Sequence, residues 1–337
     1  MSLRVGISGY GLAGRYFHGA LLGAVGFEVV GAVTQNPDRI AHLHNDFPRA
    51  QAVATIQELL DLKLDLLVVA SGNAAHASDA IAGLRAGVPT VVDKPMGRTL
   101  AETVEIINVA AECDVPVTTY FNRLWDSDIL TIKRAQSERV LGDVFRFDSR
   151  FERFRPEPNP QAWRERSSAA DGGGNLLDLQ PHLVSTALHL FGPAEVVHAS
   201  VRSIRGYADD DVVLVLKHES GVDSYLSASA IIGAPGPRVR VNGSAASLVI
   251  ESLDAQEGLL RSGKIPTGGA WQEDVCTPAY LYHGEKRESY PAEPGNYATF
   301  YSLVKDAISG SGSMPISTSE ILAVSAIIEQ AREISIR

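Results

Sequence analysis

The sequence predicts an α/β protein with a parallel, helix-covered sheet at its N-terminus and a second, α+β domain built on an open, mostly antiparallel sheet. From residue 3 to about 120, short apolar runs alternate with longer helical segments, a pattern typical of βαβ units. After Trp125, period-two alternation and turns rich in Gly and Pro indicate antiparallel strands with one face on helices. We place the domain boundary after residue 121, which gives domains 1–121 and 122–337.

The predicted elements follow from these patterns. Strands of the first domain are predicted at Arg4–Ser8, Phe27–Val33, Leu64–Ala70, Pro89–Val92 and Val115–Thr119. The run from Leu66 to Ala70 is apolar on both faces, as in a central strand covered by helices on both sides. The second domain is predicted to contain a helix at Asp128–Glu138 and strands at Val144–Phe151, Val196–Ile204, Val212–Lys217, Asp223–Ile231 and Arg238–Asn242. A terminal amphipathic helix is expected at 318–334, with no packing partner assigned.

Composition excludes several classes of protein. The chain has 337 residues, 45% of them hydrophobic, and a formal net charge of −10, which opposes attraction to nucleic acid phosphates. No stretch is apolar enough for a membrane span and no export signal is visible. Cys113 and Cys276 lie far apart without metal-ligand spacing, which favours a reducing cytoplasm, no disulfide and no metal.

The first βα turn carries the pattern G-x-G-x-x-G, directly after a strand and before the predicted helix from Ala13 to Val25. Such glycines allow a tight turn, close approach of backbone to a pyrophosphate, and close packing of helix on strand. The pattern predicts a dinucleotide site, whose pyrophosphate loop is Gly9, Tyr10, Gly11, Leu12, Ala13 and Gly14.

The end of the second strand predicts the cofactor type. NAD enzymes place an acid here for the ribose 2′-hydroxyl, whereas this strand ends in Thr34, Gln35 and Asn36. Thr34 can donate to a 2′-phosphate and Arg39 can neutralise it, so NADP is favoured over NAD. The alternative is that Arg39 is a solvated helix residue.

Two further groups of residues indicate chemistry. Lys94, in Asp93-Lys94-Pro95, follows a strand at the sheet edge where α/β proteins bind ligands, and a lysine there can hydrogen-bond a substrate hydroxyl. Asp178 and His182 follow three glycines and are four apart, which on a helix places both on one face for proton transfer. Taken separately, a surface lysine before a turn proline and a capping aspartate with a core histidine are the better interpretations, and Pro181 interrupts the helix.

Taken together, GYGLAG, DKP and GGG-x3-D-x3-H resemble the Gfo/Idh/MocA oxidoreductase family, in order and spacing over nearly the whole chain. The resemblance implies a Rossmann domain, then an open antiparallel-sheet domain whose face often forms homodimers or homotetramers. It also implies hydride transfer between a nicotinamide and a carbon of a sugar or polyol. Lys94 would be the catalytic lysine, Asp178 the supporting carboxylate and His182 the general acid/base.

Other segments resemble a subgroup that includes NADP-dependent scyllo-inositol dehydrogenases. They are Asn122–Lys133, Ala162–Arg166 and a stretch from Asp254 to Trp271. This resemblance implies cofactor or substrate contacts by Asn122, Arg123, Trp125, Trp163 and Arg164. The family resemblance implies cofactor contacts by Ser71, Asn73, His76 and Asp93, and the alternative for His76 is a capping role at a helix start. DKP replaces the family's usual EKP, and Ser185 stands where an acid often binds polyols, which weakens a specific inositol assignment.

Two alternatives remain open at this stage. The fold also hosts dinucleotide sensors without catalysis, although a sensor has no need of Lys94, Asp178 and His182 together. The second alternative is an enzyme that reduces an imine or another carbonyl compound.

Overall fold

The computed structural model describes residues 2–159, 165, 167, 171–266, 271 and 274–336. The chain forms two compact units. The first unit comprises Met1–Tyr120, Gln256–Trp271 and Tyr297–Leu322, and the second comprises Phe121–Ala255, Gln272–Asn296 and Ala323–Arg337.

The predicted second domain, 122–337, therefore differs from the observed unit, because two of its segments belong to the first. The helix Ala298–Ile308 brings Phe300 and Tyr301 to Tyr120, with ring centroids 4.9 and 5.9 Å apart. The amide of Tyr297 donates to Gln256 Oε1 at 2.7 Å. Such contacts join residues far apart in the chain, so no local pattern reveals them.

The first unit contains a six-stranded parallel sheet in the order β3-β2-β1-β4-β5-β6. Its strands are β1 Arg4–Ser8, β2 Glu28–Val33, β3 Gln51–Val53, β4 Leu66–Val69, β5 Thr90–Val92 and β6 Val117–Thr119. All five predicted strands are confirmed, and β3 is an additional one. Every residue of β4 is fully buried, because helices cover both faces of a central parallel strand.

The helices of this unit follow the strands. They are α1 Ala20–Ala24, α2 Pro37–Asp46, α3 Ile56–Leu60, α4 His76–Arg85 and α5 Leu100–Cys113. A π-type segment, Ala13–Gly19, precedes α1, so the predicted helix from Ala13 is present with a wider first part. Thr55 and Thr99 cap α3 and α5 by accepting from backbone amides of the first turn.

The second unit contains an eight-stranded sheet in the order β14-β13-β12-β11-β7-β10-β9-β8. Its strands are β7 Val144–Glu152, β8 Ala194–Arg202, β9 Asp211–His218, β10 Asp223–Ser229, β11 Val239–Gly243, β12 Ser247–Ile250, β13 Ala279–His283 and β14 Lys286–Tyr290. Only β7 and β10 pair in parallel, which confirms the mostly antiparallel prediction.

Helices α6 Ser127–Ser137, α7 Asn175–Asp178 and α8 Gln180–Phe191 also belong to this unit. Helix α8 packs on β7, β9 and β10, where Leu214 and Leu226 are fully buried. The terminal helix spans Thr318–Ile336, and the Ser335 hydroxyl accepts from the amide of Val201 on β8 at 3.1 Å. That contact supplies the packing partner which the sequence left unassigned.

Candidate active site

The glycine loop after β1 has the geometry of a pyrophosphate cradle. Gly9 has a φ of 93°, and a Cβ on it would lie 2.7 Å from the carbonyl oxygen of Ala70. A Cβ on Gly14 would lie 2.0 Å from the carbonyl oxygen of Gly9, so only glycine lets the helix approach this closely. A Cβ on Gly11 would meet only the Arg39 guanidinium, at 3.8 Å. The nearest group over Gly11 is thus the end of an exposed, flexible side chain, which leaves the backbone approachable by a dinucleotide.

Tyr10 anchors this loop with its side chain. The ring is buried, and the hydroxyl donates to Asp46 Oδ2 on α2 at 2.9 Å. Arg15 pairs with the same carboxylate at 2.7 Å. Burial and the charge of Asp46 raise the pKa of Tyr10 well above its usual value, so the hydroxyl stays protonated. Of the remaining loop residues, Leu12 is exposed and Ala13 begins the π-type segment, so the loop offers its backbone rather than side chains.

At the end of β2, some of the residues predicted to contact the cofactor are buried or cap a helix, and others are exposed. The Thr34 hydroxyl is buried and has no hydrogen-bond partner among the described residues. Asn36 caps α2, since its Oδ1 accepts from the Arg39 amide at 3.1 Å. Gln35 and Arg39 are exposed, and the guanidinium of Arg39 lies beside Gly11. Arg39 is therefore the residue here whose charge is available to a ligand phosphate.

The loop after β4 is fixed by hydrogen bonds. The hydroxyls of Ser71 and Ser8 both donate to Asp79 Oδ2, at 2.9 and 2.7 Å. Asn73 is buried and begins a short 3-10 turn. His76 is fully buried, with Nδ1 2.8 Å from the Pro95 carbonyl oxygen. Burial lowers the pKa of His76, so the neutral ring donates one hydrogen bond and holds the Pro95 turn in place.

Lys94 is the second residue after β5, at the same edge of the sheet as the glycine loop. Its backbone amide donates to Asp93 Oδ1 at 2.8 Å, and the Lys94–Pro95 peptide bond is cis. Burial disfavours charge on Asp93, but His18, Lys94 and His76 outweigh burial and hold the pKa of its carboxyl well below the usual value. Asp93 is therefore an ionised carboxylate that fixes the backbone of Lys94.

His18 is a residue of this region that the sequence analysis missed. It lies in the π-type segment, fully buried, with Nε2 3.8 Å from Asp93 Oδ2. Its Nδ1 lies 2.5 Å from the hydroxyl of Tyr301. The one available signal was a histidine four residues after Gly14 in the helix that follows the glycine loop, and its partners are too distant in sequence to be inferred.

In the second unit, Asp178 and His182 lie on two helices rather than one. Asp178 ends α7, and α8 begins at Gln180 with Pro181 in its first turn. Proline has no amide hydrogen to continue the ladder of α7, and it is well tolerated at the start of a new helix. The expected single-helix geometry of this pair is therefore absent, while the amide of His182 donates to the Leu179 carbonyl at 3.2 Å.

The start of α7 is fixed by Asp209. Its Oδ1 accepts from the Leu176 amide at 2.7 Å, which places a carboxylate at a helix start. Gly174 is required beside it, because a Cβ there would lie 1.9 Å from Asp209 Oδ2. Burial, assisted by Asp210, raises the pKa of Asp209 from 3.8 to about 6.

The ring of Phe151 adjoins His182, and two guanidinium groups lie over the Phe151 ring. Phe151 is buried, with its centroid 6.0 Å from that of the imidazole in an edge-on arrangement. The guanidinium groups of Arg238 and Arg123 lie 4.1 and 5.5 Å from the same centroid. Arg123 also pairs with Asp126 at 3.4 Å, so its charge has a partner within the protein.

The remaining predicted site residues lie in the turn before α6, in α8 or outside the described residues. Asn122 is buried and Trp125 half-buried, and both belong to a 3-10 turn before α6. Trp163 and Arg164 lie outside the described residues. Ser185 is buried in α8, where its hydroxyl donates to the His182 carbonyl at 3.1 Å.

Comparison with known proteins decides the family. Residues 3–121 match the model of an oxidoreductase family with an NAD-binding Rossmann fold, and residues 129–249 match the GFO/IDH/MocA C-terminal domain. The chain belongs to the GFO/IDH/MocA oxidoreductase family. The GFO/IDH/MocA fold accounts for the nicotinamide dinucleotide site in the first unit and for the mostly antiparallel sheet in the second.

Individual relatives in the GFO/IDH/MocA family match over nearly full length. The chain is 32% identical to scyllo-inositol 2-dehydrogenase (NADP(+)) IolW of Bacillus subtilis, covering 99% of this chain and 94% of IolW. It is 34% identical to the Escherichia coli oxidoreductase YdgJ, with 97% and 95% covered. The structure of the Bacillus subtilis oxidoreductase yvaA superposes with a TM-score of 0.90 at 30% identity, covering 99% of this chain and 96% of that one.

The described part of the chain lacks both a membrane-spanning helix and a cluster of metal-binding side chains. Among those residues, no helix combines the length and apolar character that crossing a membrane demands. The same residues contain no group of three or more His, Cys, Asp or Glu side chains suited to hold a metal ion.

Proposed function

We propose that the protein oxidises a ring hydroxyl of a cyclic polyol or sugar to a ketone, or catalyses the reverse reduction, with NADP(H). The observation that carries the proposal is the fixed placement of Lys94 at the sheet edge that also bears the glycine loop. Membership of an oxidoreductase family and similarity to a scyllo-inositol dehydrogenase support it.

The preference for NADP is supported by charge at the end of β2. No carboxylate follows Val33, so the usual acceptor for a ribose 2′-hydroxyl is missing from this position. Arg39 is exposed and its guanidinium lies beside Gly11, where a 2′-phosphate is within reach of a flexible arginine. The relative IolW carries NADP(+) in its name.

The roles of the side chains follow from their chemistry. When bound, the nicotinamide accepts or delivers the hydride. Lys94 binds the reacting hydroxyl and stabilises the negative charge that develops on its oxygen. His182 takes up the proton of that hydroxyl, since imidazole exchanges protons near neutral pH, and Asp178 supports the protonated form. Asn122, Trp125, Trp163 and Arg164 are proposed to bind the cofactor or the other hydroxyls, as is Arg123.

The experiment is a screen of inositols, aldoses and sugar lactone precursors for formation of reduced cofactor with NADP+ and, separately, with NAD+. The proposal expects turnover of at least one cyclic polyol or aldose, with NADP+ preferred. Strong activity with NAD+ alone would contradict the role of Arg39. Absence of turnover with every polyhydroxylated compound, despite measurable NADPH binding, would contradict the substrate class.

We further propose that the second unit forms a homodimer or homotetramer through its sheet. The face opposite α8 carries Val215, Tyr225, Asp148 and Arg240 in one row across β9, β10, β7 and β11. The Arg146 guanidinium stacks on Tyr225 at 4.3 Å, which extends an amphipathic surface typical of subunit interfaces. Analytical ultracentrifugation tests this proposal, because Tyr225→Asp should shift the protein to monomer while a monomeric parent would refute it.

A further inference from the structure

His18 is a fully buried histidine between the glycine loop and the turn Asp93-Lys94-Pro95. Its side chain reaches from the segment after Gly14 toward the end of β5, where Asp93 precedes Lys94. It therefore connects the element that holds the cofactor to the element that carries the proposed catalytic lysine, within one compact unit.

The proton on the His18 ring is assigned by its neighbours. The Tyr301 hydroxyl lies 2.5 Å from Nδ1. Burial, with Tyr120 and Asp93 nearby, raises the pKa of Tyr301 well above its usual value, so the hydroxyl keeps its proton and donates it to Nδ1. In the neutral ring the other nitrogen then carries the hydrogen. That nitrogen, Nε2, has no hydrogen-bond partner among the described residues and lies 3.8 Å from Asp93 Oδ2.

The two oxygens of Asp93 thus face different groups. Oδ1 accepts the backbone amide of Lys94 at 2.8 Å, whereas Oδ2 faces the N–H of His18. A carboxylate can rotate about its χ2 angle unless both ends are held, because that torsion is broad. Attraction between the His18 N–H and Oδ2 opposes this rotation, and the opposite oxygen then stays directed at Lys94.

We propose that His18 is a positioning residue, which orients Asp93 and thereby fixes the backbone of Lys94 relative to the glycine loop. This inference rests on the proposed catalytic role of Lys94. Tyr301 contributes by selecting the His18 tautomer whose hydrogen faces Asp93.

Four variants separate this role from a general packing role. His18→Phe keeps a ring and removes both nitrogens, whereas His18→Gln restores an amide N–H near the position of Nε2. Tyr301→Phe removes only the hydroxyl that selects the tautomer. His218→Phe is the matched control, because His218 is another buried histidine but lies in the second unit. Its two ring nitrogens lie 2.8 Å from the Gly192 carbonyl oxygen and 2.8 Å from the Ser224 hydroxyl.

The primary measurement is hydrogen exchange at the backbone amide of Lys94, which requires no substrate. His18→Phe should accelerate this exchange by about 10-fold, the effect of weakening one hydrogen bond to a charged acceptor. Tyr301→Phe should accelerate it by a smaller factor, while His18→Gln and His218→Phe should leave it unchanged. Unchanged exchange in both His18→Phe and Tyr301→Phe would overturn the proposal. If His18→Phe fails to fold, the Tyr301→Phe and His18→Gln results decide.

The second measurement is a double-mutant cycle on kcat with a polyol that the screen identifies. A 1 Å displacement of a catalytic group costs up to about 100-fold, so His18→Phe should lower kcat by about 10- to 100-fold with little change in cofactor Kd. In a Lys94→Ala background the same change should have almost no further effect. If the two substitutions lower kcat additively, action of His18 through Lys94 is refuted. If Lys94→Ala alone leaves kcat unchanged, the proposed function is refuted, and the hydrogen-exchange result decides the role of His18.

Discussion

Asp209 is predicted to lower the stability of the folded protein at neutral pH. The side chain is half-buried at the start of α7, and this partial burial raises the pKa of its carboxyl from 3.8 to about 6. The folded state therefore binds this proton more tightly than the unfolded state, and stability falls as the pH rises from about 4 to about 6 and stays lower above that range. At about 1.4 kcal/mol for each tenfold change in proton affinity, the difference corresponds to about 3 kcal/mol.

Asp209→Asn removes the ionisation and keeps an oxygen that can accept from the Leu176 amide. The variant should be more stable than the parent by up to about 3 kcal/mol at pH 8, with the advantage shrinking below pH 6 and disappearing near pH 4. Urea denaturation followed by circular dichroism across this pH range measures the difference directly.

Asp210→Asn is the matched control, because the pKa of this neighbouring carboxyl is shifted in the opposite direction, downward. Burial disfavours its charge, but the amides of Ile204 and Arg205 and the Arg205 guanidinium outweigh burial and lower the pKa of Asp210. Asp210→Asn should therefore destabilise the protein at neutral pH, with the loss shrinking as the pH falls. An Asp209→Asn variant that is no more stable than the parent at pH 8 would refute the reasoning on burial.

Three other predictions concern the glycine loop, cofactor choice and the second unit. Gly14→Ala should abolish NADPH binding, because its Cβ would lie 2.0 Å from the Gly9 carbonyl, whereas Gly11→Ala should fold normally and bind more weakly, as measured by NADPH fluorescence. Arg39→Gln should weaken NADPH binding about tenfold, because it removes one charge-assisted contact to the 2′-phosphate, and should leave NADH binding unchanged. Equal losses of affinity for both cofactors would contradict the role of Arg39 at the 2′-phosphate. Arg238→Met should lower the free energy of unfolding by about 3 to 5 kcal/mol, since it leaves the buried Asp128 carboxylate, now 3.4 Å from the guanidinium, unpaired; a urea titration that shows no loss would contradict this.

Local pattern predicted most strands of the two sheets but missed β3, β12, β13 and β14. Strand β3 has only three residues, Gln51–Val53, too few to show a period. Strand β14 begins Lys286-Arg287-Glu288, and charged residues suit an edge strand while hiding it from a search for apolar alternation. Both strands lie at a sheet edge, where little of a strand's surface is buried.

Some residues of the candidate site could be predicted from the sequence, and others could not. Gly9, Gly14 and Lys94 were predictable, because a turn, a close approach and a strand end each impose a residue type at a fixed position. His18 was not predictable, since its function depends on Tyr301, which lies 283 residues away. The break between Asp178 and His182 was signalled by Pro181, and the structure shows that the chain starts a new helix there.

The most direct test of the central claim is the turnover of Lys94→Ala and His182→Ala with NADP+ and the best polyol from the screen. Proton transfer by a positioned side chain, the role of His182, and stabilisation of developing negative charge, the role of Lys94, each contribute about 100-fold or more to kcat. Each variant should therefore lose at least that factor while still binding NADPH. Ser185→Ala, which changes a buried hydroxyl in the same helix as His182, serves as the control and should retain turnover. Lys94→Ala and His182→Ala enzymes with the turnover of the parent would contradict the assignment.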